Sequence, residues 1–228
     1  RLIGSAPDSR SATHHPQLTC FSLYATKNLT TGEGGMLTGD PARIDEARIW
    51  SLHGMSRDAW KRYTSEGSWF CEVIHAGFKY NMSDIQAAIG LQQLRRLPET
   101  QQRRRRVFER YDRALQGIRA IERPLPRPEV SHAYHLYVIR LNLEMLNIDR
   151  ARFIEQLRTR NIRTGVHFIP NHLHPYYRDK YGFRPEDFPV AYREYQRLIT
   201  LPAYPAMTDD DVDDVVEAVR DIATQFGR

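Results

Sequence analysis

The sequence predicts an α/β fold on three observations. Short apolar or aromatic runs lie between glycine- and proline-containing turns and read as strands. Two helix starts carry full capping signals, at Ser83 and Thr208. After Pro128, strand-like and helix-like patterns alternate, as in a small α/β domain.

Each element follows from local chemistry. Gln17–Tyr24 is short and apolar, and Gly35–Thr38 follows a glycine-rich bend, so both predict strands. Pro41 opens a helix through Leu52, because proline is well tolerated in a first helical turn. Gly54–Lys79 has no clear period, and Trp60, Trp69 and Phe70 mark it as an ordered loop rather than a linker. Ser83 and Gln86 spell an S-x-x-Q capping box, with Met82 placed as a hydrophobic staple. The helical pattern continues through Ala87, Ile89, Leu91 and Leu94, pauses at Pro98, and resumes with Val107, Tyr111, Ala114, Leu115 and Ile118. A turn at Pro124–Pro128 leads to a strand at Tyr134–Leu141, a helix at Asp149–Asn161 and a strand at Arg163–Phe168. Thr208 caps the last helix, and Asp209, Asp210 and Asp211 favour its positive end. Its buried stripe is Val212, Val215, Val216, Val219, Ile222, Ala223 and Phe226. The domain boundary is expected near Pro98, and the sequence contains no internal repeat.

Composition excludes several classes. With 41% hydrophobic and 27% charged residues, the 228-residue chain is neither disordered nor fibrous. No apolar run approaches the roughly 20 residues of a membrane span. Cys20 and Cys71 lie far apart without a CxxC pattern, which argues against a disulfide framework and favours a reducing cytoplasm. A net charge of +5 and a pI near 9.3 suit nucleic acid or an anionic small substrate equally well. The chain opens on Arg1, without a signal-peptide pattern and without Met, and a fragment is expected.

The segment that carries chemistry is Phe21–Gly35, FSLYATKNLTTGEGG. A strand delivers Lys27 to a turn, and Gly32, Gly34 and Gly35 bring the backbone back. A partly desolvated lysine has a lowered pKa, and its neutral amine can form a Schiff base. Taken alone, the pattern favours an ordinary surface lysine in a glycine-rich turn. A phosphate loop is excluded, because the glycines lack Walker spacing and the following Lys-Ser/Thr.

Three further blocks accompany it in order: GFKYNMSDIQAAIGLQQLRRL at Gly77–Leu97, SHAYHLYVIRL at Ser131–Leu141 and TGVHFIPNHLHPYYR at Thr164–Arg178. Together the blocks resemble the DegT/StrS-type sugar aminotransferases, pyridoxal-phosphate (PLP) enzymes of fold-type I, over nearly the whole chain. The resemblance implies the carboxy-terminal portion of such an enzyme. Residues 1–98 would be the remnant of the PLP-binding large domain, and residues 99–228 the small α/β domain.

Carried over by position, Lys27 would hold the cofactor and shuttle the proton between substrate carbon and cofactor. Ser22 would donate a hydrogen bond to the cofactor phosphate. Asn81 would reach across a homodimer to the partner's cofactor phosphate. Asn28 and Glu33 are assigned only to shaping the loop. The block holding His167 would lie near the nucleotide-sugar, making His167 a substrate contact, with His172, His174, Tyr176, Tyr177 and Arg178 as weaker candidates. No metal site is expected, since His167, His172 and His174 lack an accompanying thiolate or carboxylate. Lys27 argues against dehydratase activity, for which family members carry His at this position.

The resemblance also implies what lies upstream. The acidic partner of the cofactor's pyridine nitrogen would end just before Arg1, with Leu2–Ser5 as its continuation, and the phosphate loop and ring-stacking aromatic would lie further upstream. The fragment is therefore expected to bind cofactor weakly and to give no useful turnover. The complete enzyme would transaminate a nucleotide-linked keto sugar with glutamate as donor, for cell-surface polysaccharide such as lipopolysaccharide or other amino-sugar synthesis. The TGVHF and HLHPYYR blocks resemble members making 4-amino-4-deoxy sugars, which implies a UDP-4-keto sugar. The alternatives are a non-catalytic remnant acting in assembly, or a basic nucleic-acid-binding module built on Arg103–Arg106. Consecutive helical residues point about 100° apart, so those arginines cannot form one phosphate-binding face, and a mostly solvated helix is expected.

Overall fold

The computed structural model describes residues 18–56, 72–125, 127 and 129–228. The expectations at Leu2–Ser5, Trp60, Trp69, Phe70, Cys71, Pro126 and Pro128 fall outside them. The described residues form two compact units, which divide between Leu97 and Pro98.

In the first unit, strands β1 (Leu18–Ser22) and β2 (Gly35–Gly39) pair antiparallel, with Leu18 opposite Gly39 and Ser22 opposite Gly35. Helix α1 (Pro41–Ser51) follows, with Pro41 in its first turn and the Asp40 carboxylate accepting from the Arg43 N–H at 3.1 Å. The segment after residue 71 runs back along the end of α1. Phe78 N–H donates to the Trp50 carbonyl and Tyr80 N–H to that of Ser51, both at 2.8 Å, while the His75 ring stacks on Trp50. Gly54 and Gly77 permit this approach, since a Cβ at either would lie within 2.2 Å of the opposing backbone.

Helix α2 (Asp84–Ala114) starts on the expected capping box. Ser83 N–H donates to Gln86 Oε1 at 3.0 Å, and Gln86 N–H to Ser83 Oγ at 3.3 Å. The expected pause at Pro98 does not occur, and the helix runs through it. An interior proline removes one backbone hydrogen bond and costs about 3 kcal/mol. Burial offsets that cost on either side: Leu97 packs in the first unit's small core, and Val107, Phe108 and Tyr111 pack in the second unit's. Among the described residues, the apolar pattern before Pro98 does not mark a buried face, because Ile89, Leu91 and Leu94 are exposed.

The second unit holds an antiparallel sheet in the order β3 (Ile121–Glu122), β4 (Tyr137–Leu141), β5 (Leu198–Leu201). In β4, Tyr137, Ile139 and Leu141 are buried and alternate with half-buried neighbours, as a one-faced sheet requires. Helix α3 (Arg150–Thr159) is capped by Asp149, which accepts from Arg152 N–H at 2.8 Å, and it ends before Asn161, whose φ is +61°. Short helices α4 (Pro175–Tyr181) and α5 (Pro189–Arg197) each open on a proline. Helix α6 (Asp209–Gln225) carries the Thr208–Asp211 capping box and buries the expected stripe, with Phe226 packed at its edge. The strand expected at Arg163–Phe168 reduces to one bridge, Gly165 to Thr200. Glycine weakens a strand, and Pro170 follows within five residues.

The arginine run is mostly solvated, as expected, with one exception at Arg104. Arg104 is only 8% exposed, and one nitrogen of its guanidinium donates to the carbonyls of Tyr134, His135 and Ala203 at 3.2, 3.2 and 2.9 Å. Burial pushes its pKa down. Arg103, Arg105 and Arg106 pair with Glu99, Glu109 and Asp209 at the surface. Among the described residues, no helix is long and apolar enough to cross a membrane. Arg104→Met is expected to lower stability by about 1–3 kcal/mol, because buried carbonyls lose their donor. Arg103→Met should leave the urea midpoint nearly unchanged, since its pair is exposed. Equal midpoints for the two variants would contradict the clamp.

Candidate active site

Residues 23–34 close a loop between β1 and β2, and Lys27 lies in it. Leu23 makes the closure: its N–H donates to Gly34 and its carbonyl accepts from Thr31 N–H, each at 2.9 Å. The Thr30 hydroxyl adds a bond to the same carbonyl at 3.1 Å. Inside the loop Lys27 N–H donates to the Tyr24 carbonyl at 2.9 Å, giving a tight turn that holds the half-buried lysine. Leu23 and Leu29 are buried with Leu97, and Met82 packs beside them.

The glycine-rich return is sterically required. Gly34 has φ +150°, and a Cβ there would lie 2.5 Å from Thr31 Oγ1, whose hydroxyl donates to the Glu33 carbonyl at 2.7 Å. Gln86 contributes a contact that the sequence did not suggest. Its Nε2 donates to the same Glu33 carbonyl at 2.9 Å and ties the loop to helix α2. As a capping residue Gln86 already had a local explanation, and a partner 53 positions away leaves no local signal.

The other expected site residues fall as follows. Ser22 is exposed at the end of β1, and its hydroxyl accepts from Tyr24 N–H at 3.4 Å. Asn81 precedes the helix cap in the same unit as Lys27. Its Nδ2 reaches the Met82 carbonyl at 3.5 Å, and its Oδ1 is shut from solvent with no hydrogen-bond partner among the described residues. Glu33 shapes the loop through its carbonyl.

His167 lies in the second unit. Its Nδ1 is 2.8 Å from Thr200 Oγ1, and its ring meets Phe168 edge-on at 4.7 Å. Of the weaker candidates, His172 is buried, whereas His174, Tyr176, Tyr177 and Arg178 are exposed. His172 is buried against Phe188, and Tyr176, Tyr177, Tyr181 and Phe183 continue a chain of ring contacts. His174 precedes the first turn of α4, and Arg178 pairs with Asp179. Among the described residues, no group of three His, Cys, Asp or Glu could hold a metal ion.

A model of the DegT/DnrJ/EryC1/StrS aminotransferase family matches residues 3–220. The chain belongs to this family. Members of the family are PLP-dependent. Spore coat polysaccharide biosynthesis protein SpsC of Bacillus subtilis (strain 168) is 50% identical over 224 residues, covering 97% of this chain and 55% of its own. Among solved structures, Spr1654 of Streptococcus pneumoniae in its PMP form superposes with a TM-score of 0.82 at 34% identity, over 91% of this chain and 53% of that one. The sugar aminotransferase CalS13 of Micromonospora echinospora gives a TM-score of 0.73 at 27% identity, over 90% and 52%. The chain spans about half the length of the curated relatives it matches. Its fold is thus that of about half of a sugar aminotransferase of this family.

Gly34→Ala is expected to strain the Lys27 loop at φ +150° and against Thr31, costing about 1–3 kcal/mol. Faster hydrogen exchange at the Leu23 and Thr31 amides would register it, whereas unchanged protection would show that the loop tolerates a Cβ.

Proposed function

We propose that the protein acts as a PLP-dependent aminotransferase on a nucleotide-linked keto sugar, with glutamate as amino donor. The observation that carries this reading is the closed loop that holds Lys27 on a family-matched scaffold. The described residues fit a part of the cofactor's surroundings. Lys27 offers an amine from a tight turn, Ser22 an exposed hydroxyl, and Asn81 an amide Nδ2 that can donate to a phosphate oxygen.

Bound PLP supplies the electron sink for chemistry at the carbon that bears nitrogen. In this reading the amine of Lys27 would hold the cofactor through Nζ and, when free, would move a proton as a general base and acid. Ser22 donates to the phosphate. Asn81 serves the cofactor phosphate of a partner subunit in a homodimer, and His167 meets the sugar substrate. Residues 1–98 form the remnant of the cofactor-binding domain and 99–228 the small domain. We place the work in the cytoplasm, in making an amino sugar for surface polysaccharide such as lipopolysaccharide, and favour a UDP-4-keto sugar. SpsC, named for polysaccharide biosynthesis, supports the pathway class. By itself the 228-residue chain is proposed to give little turnover, because the resemblance identifies no pyridine-nitrogen partner or ring-stacking residue within it.

The test uses the chain extended to the length of its relatives. Borohydride reduction after incubation with PLP should leave a pyridoxyl mass on the peptide containing Lys27, and Lys27→Ala should abolish it. Label on other peptides only would sink the assignment. His167→Ala should raise KM for a UDP-4-keto sugar about tenfold, as for one lost hydrogen bond, with kcat less affected. An unchanged KM would remove His167 from the substrate site.

A further inference from the structure

We propose that Thr200 is a positioning residue for His167 and locks its ring in the tautomer that carries the proton on Nε2. The proposal rests on the reading of His167 as a substrate contact and specifies what that contact offers.

Three neighbours hold the ring. Thr200 Oγ1 lies 2.8 Å from Nδ1, and Phe168 stands edge-on to the imidazole. Gly165 lies against the ring, since a Cβ there would come within 2.8 Å of Cε1 and 3.4 Å of Nδ1. Gly165 and Thr200 are themselves joined by two backbone hydrogen bonds, Gly165 N–H to the Thr200 carbonyl at 3.1 Å and the reverse at 2.8 Å. The bridge that replaces the expected strand thus places a hydroxyl and a bare Cα against the same imidazole.

The direction of the hydrogen bond follows from burial. Thr200 is 6% exposed, and among the described residues Nδ1 is the side-chain partner of its hydroxyl. A neutral imidazole protonated on Nδ1 would donate to Oγ1 and leave the hydroxyl proton without an acceptor. A buried unmet donor costs more than an acceptor left with a free lone pair. The hydroxyl therefore donates to Nδ1, and the proton resides on Nε2. Neutral His167 then presents an N–H donor, which suits a carbonyl, hydroxyl or phosphate oxygen and so matches a keto sugar joined to a nucleotide. Gly165 belongs to the same device, because any side chain there would push the ring off the hydroxyl.

Nitrogen-15 NMR of the full chain labelled at histidine reads this directly and needs no substrate. At a pH where His167 is neutral, its Nδ1 should show the shift of an unprotonated nitrogen and its Nε2 that of a protonated one. Thr200→Ser, which keeps the hydroxyl, should preserve the separation. Thr200→Val, which keeps the shape, should collapse it toward the average of exchanging tautomers. A protonated Nδ1 in the unaltered protein, or an unchanged separation in Thr200→Val, would overturn the proposal. The outcome is independent of the His167→Ala kinetics. A locked tautomer with an unaltered KM in that variant would remove the substrate role and leave the positioning role standing.

Discussion

Leu23 bonds at once to both arms of the loop that carries Lys27. Its N–H donates to Gly34, its carbonyl accepts from Thr31 and from the Thr30 hydroxyl, and its side chain is buried beside Leu29 and Leu97. The loop could otherwise sample many shapes, since ordering a residue's backbone costs about 1–2 kcal/mol. With both polar groups of Leu23 satisfied and its side chain out of water, one shape is preferred. The lysine inherits its position from that preference, and Gln86 reinforces it by holding the Glu33 carbonyl from helix α2.

The second unit rests on a different balance. Its interior is mostly aliphatic, yet several of its polar groups are matched to distant partners. Tyr111 donates to the Pro202 carbonyl at 2.8 Å and Tyr137 to Asp112 at 2.7 Å. Burial, joined at Tyr137 by the Asp112 hydrogen bond, pushes both phenols up and keeps them as neutral donors. Arg104 does similar work with a full charge, holding three carbonyls from segments about 30 and 99 residues away. A cation at the centre of a four-arginine run is thereby structural, while its neighbours pair with surface carboxylates.

The bridge between Gly165 and Thr200 illustrates how a failed strand can matter. Regular pairing would have turned alternate side chains to opposite faces of the sheet. One paired position followed by a departure leaves the His167 ring lying across Gly165 and against Thr200. The contact thus rests on a single bridge rather than on a continuous ladder.

Local signals sufficed wherever the deciding contact lay within a few residues. The capping boxes at Ser83 and Thr208, the Pro41 helix start and the stripe of helix α6 were legible because cap and periodicity are short-range physics. The four ordered blocks by themselves determined the family. Tertiary structure decided what depends on distant partners: the continuity of helix α2 through Pro98, the burial of Arg104, the Gln86 tie to Glu33 and the Thr200 bond to His167. A proline's penalty is read from its own position, but the burial that offsets it belongs to residues brought together only by the fold. For the same reason a threonine 33 positions from a histidine carries no mark of the hydrogen bond between them.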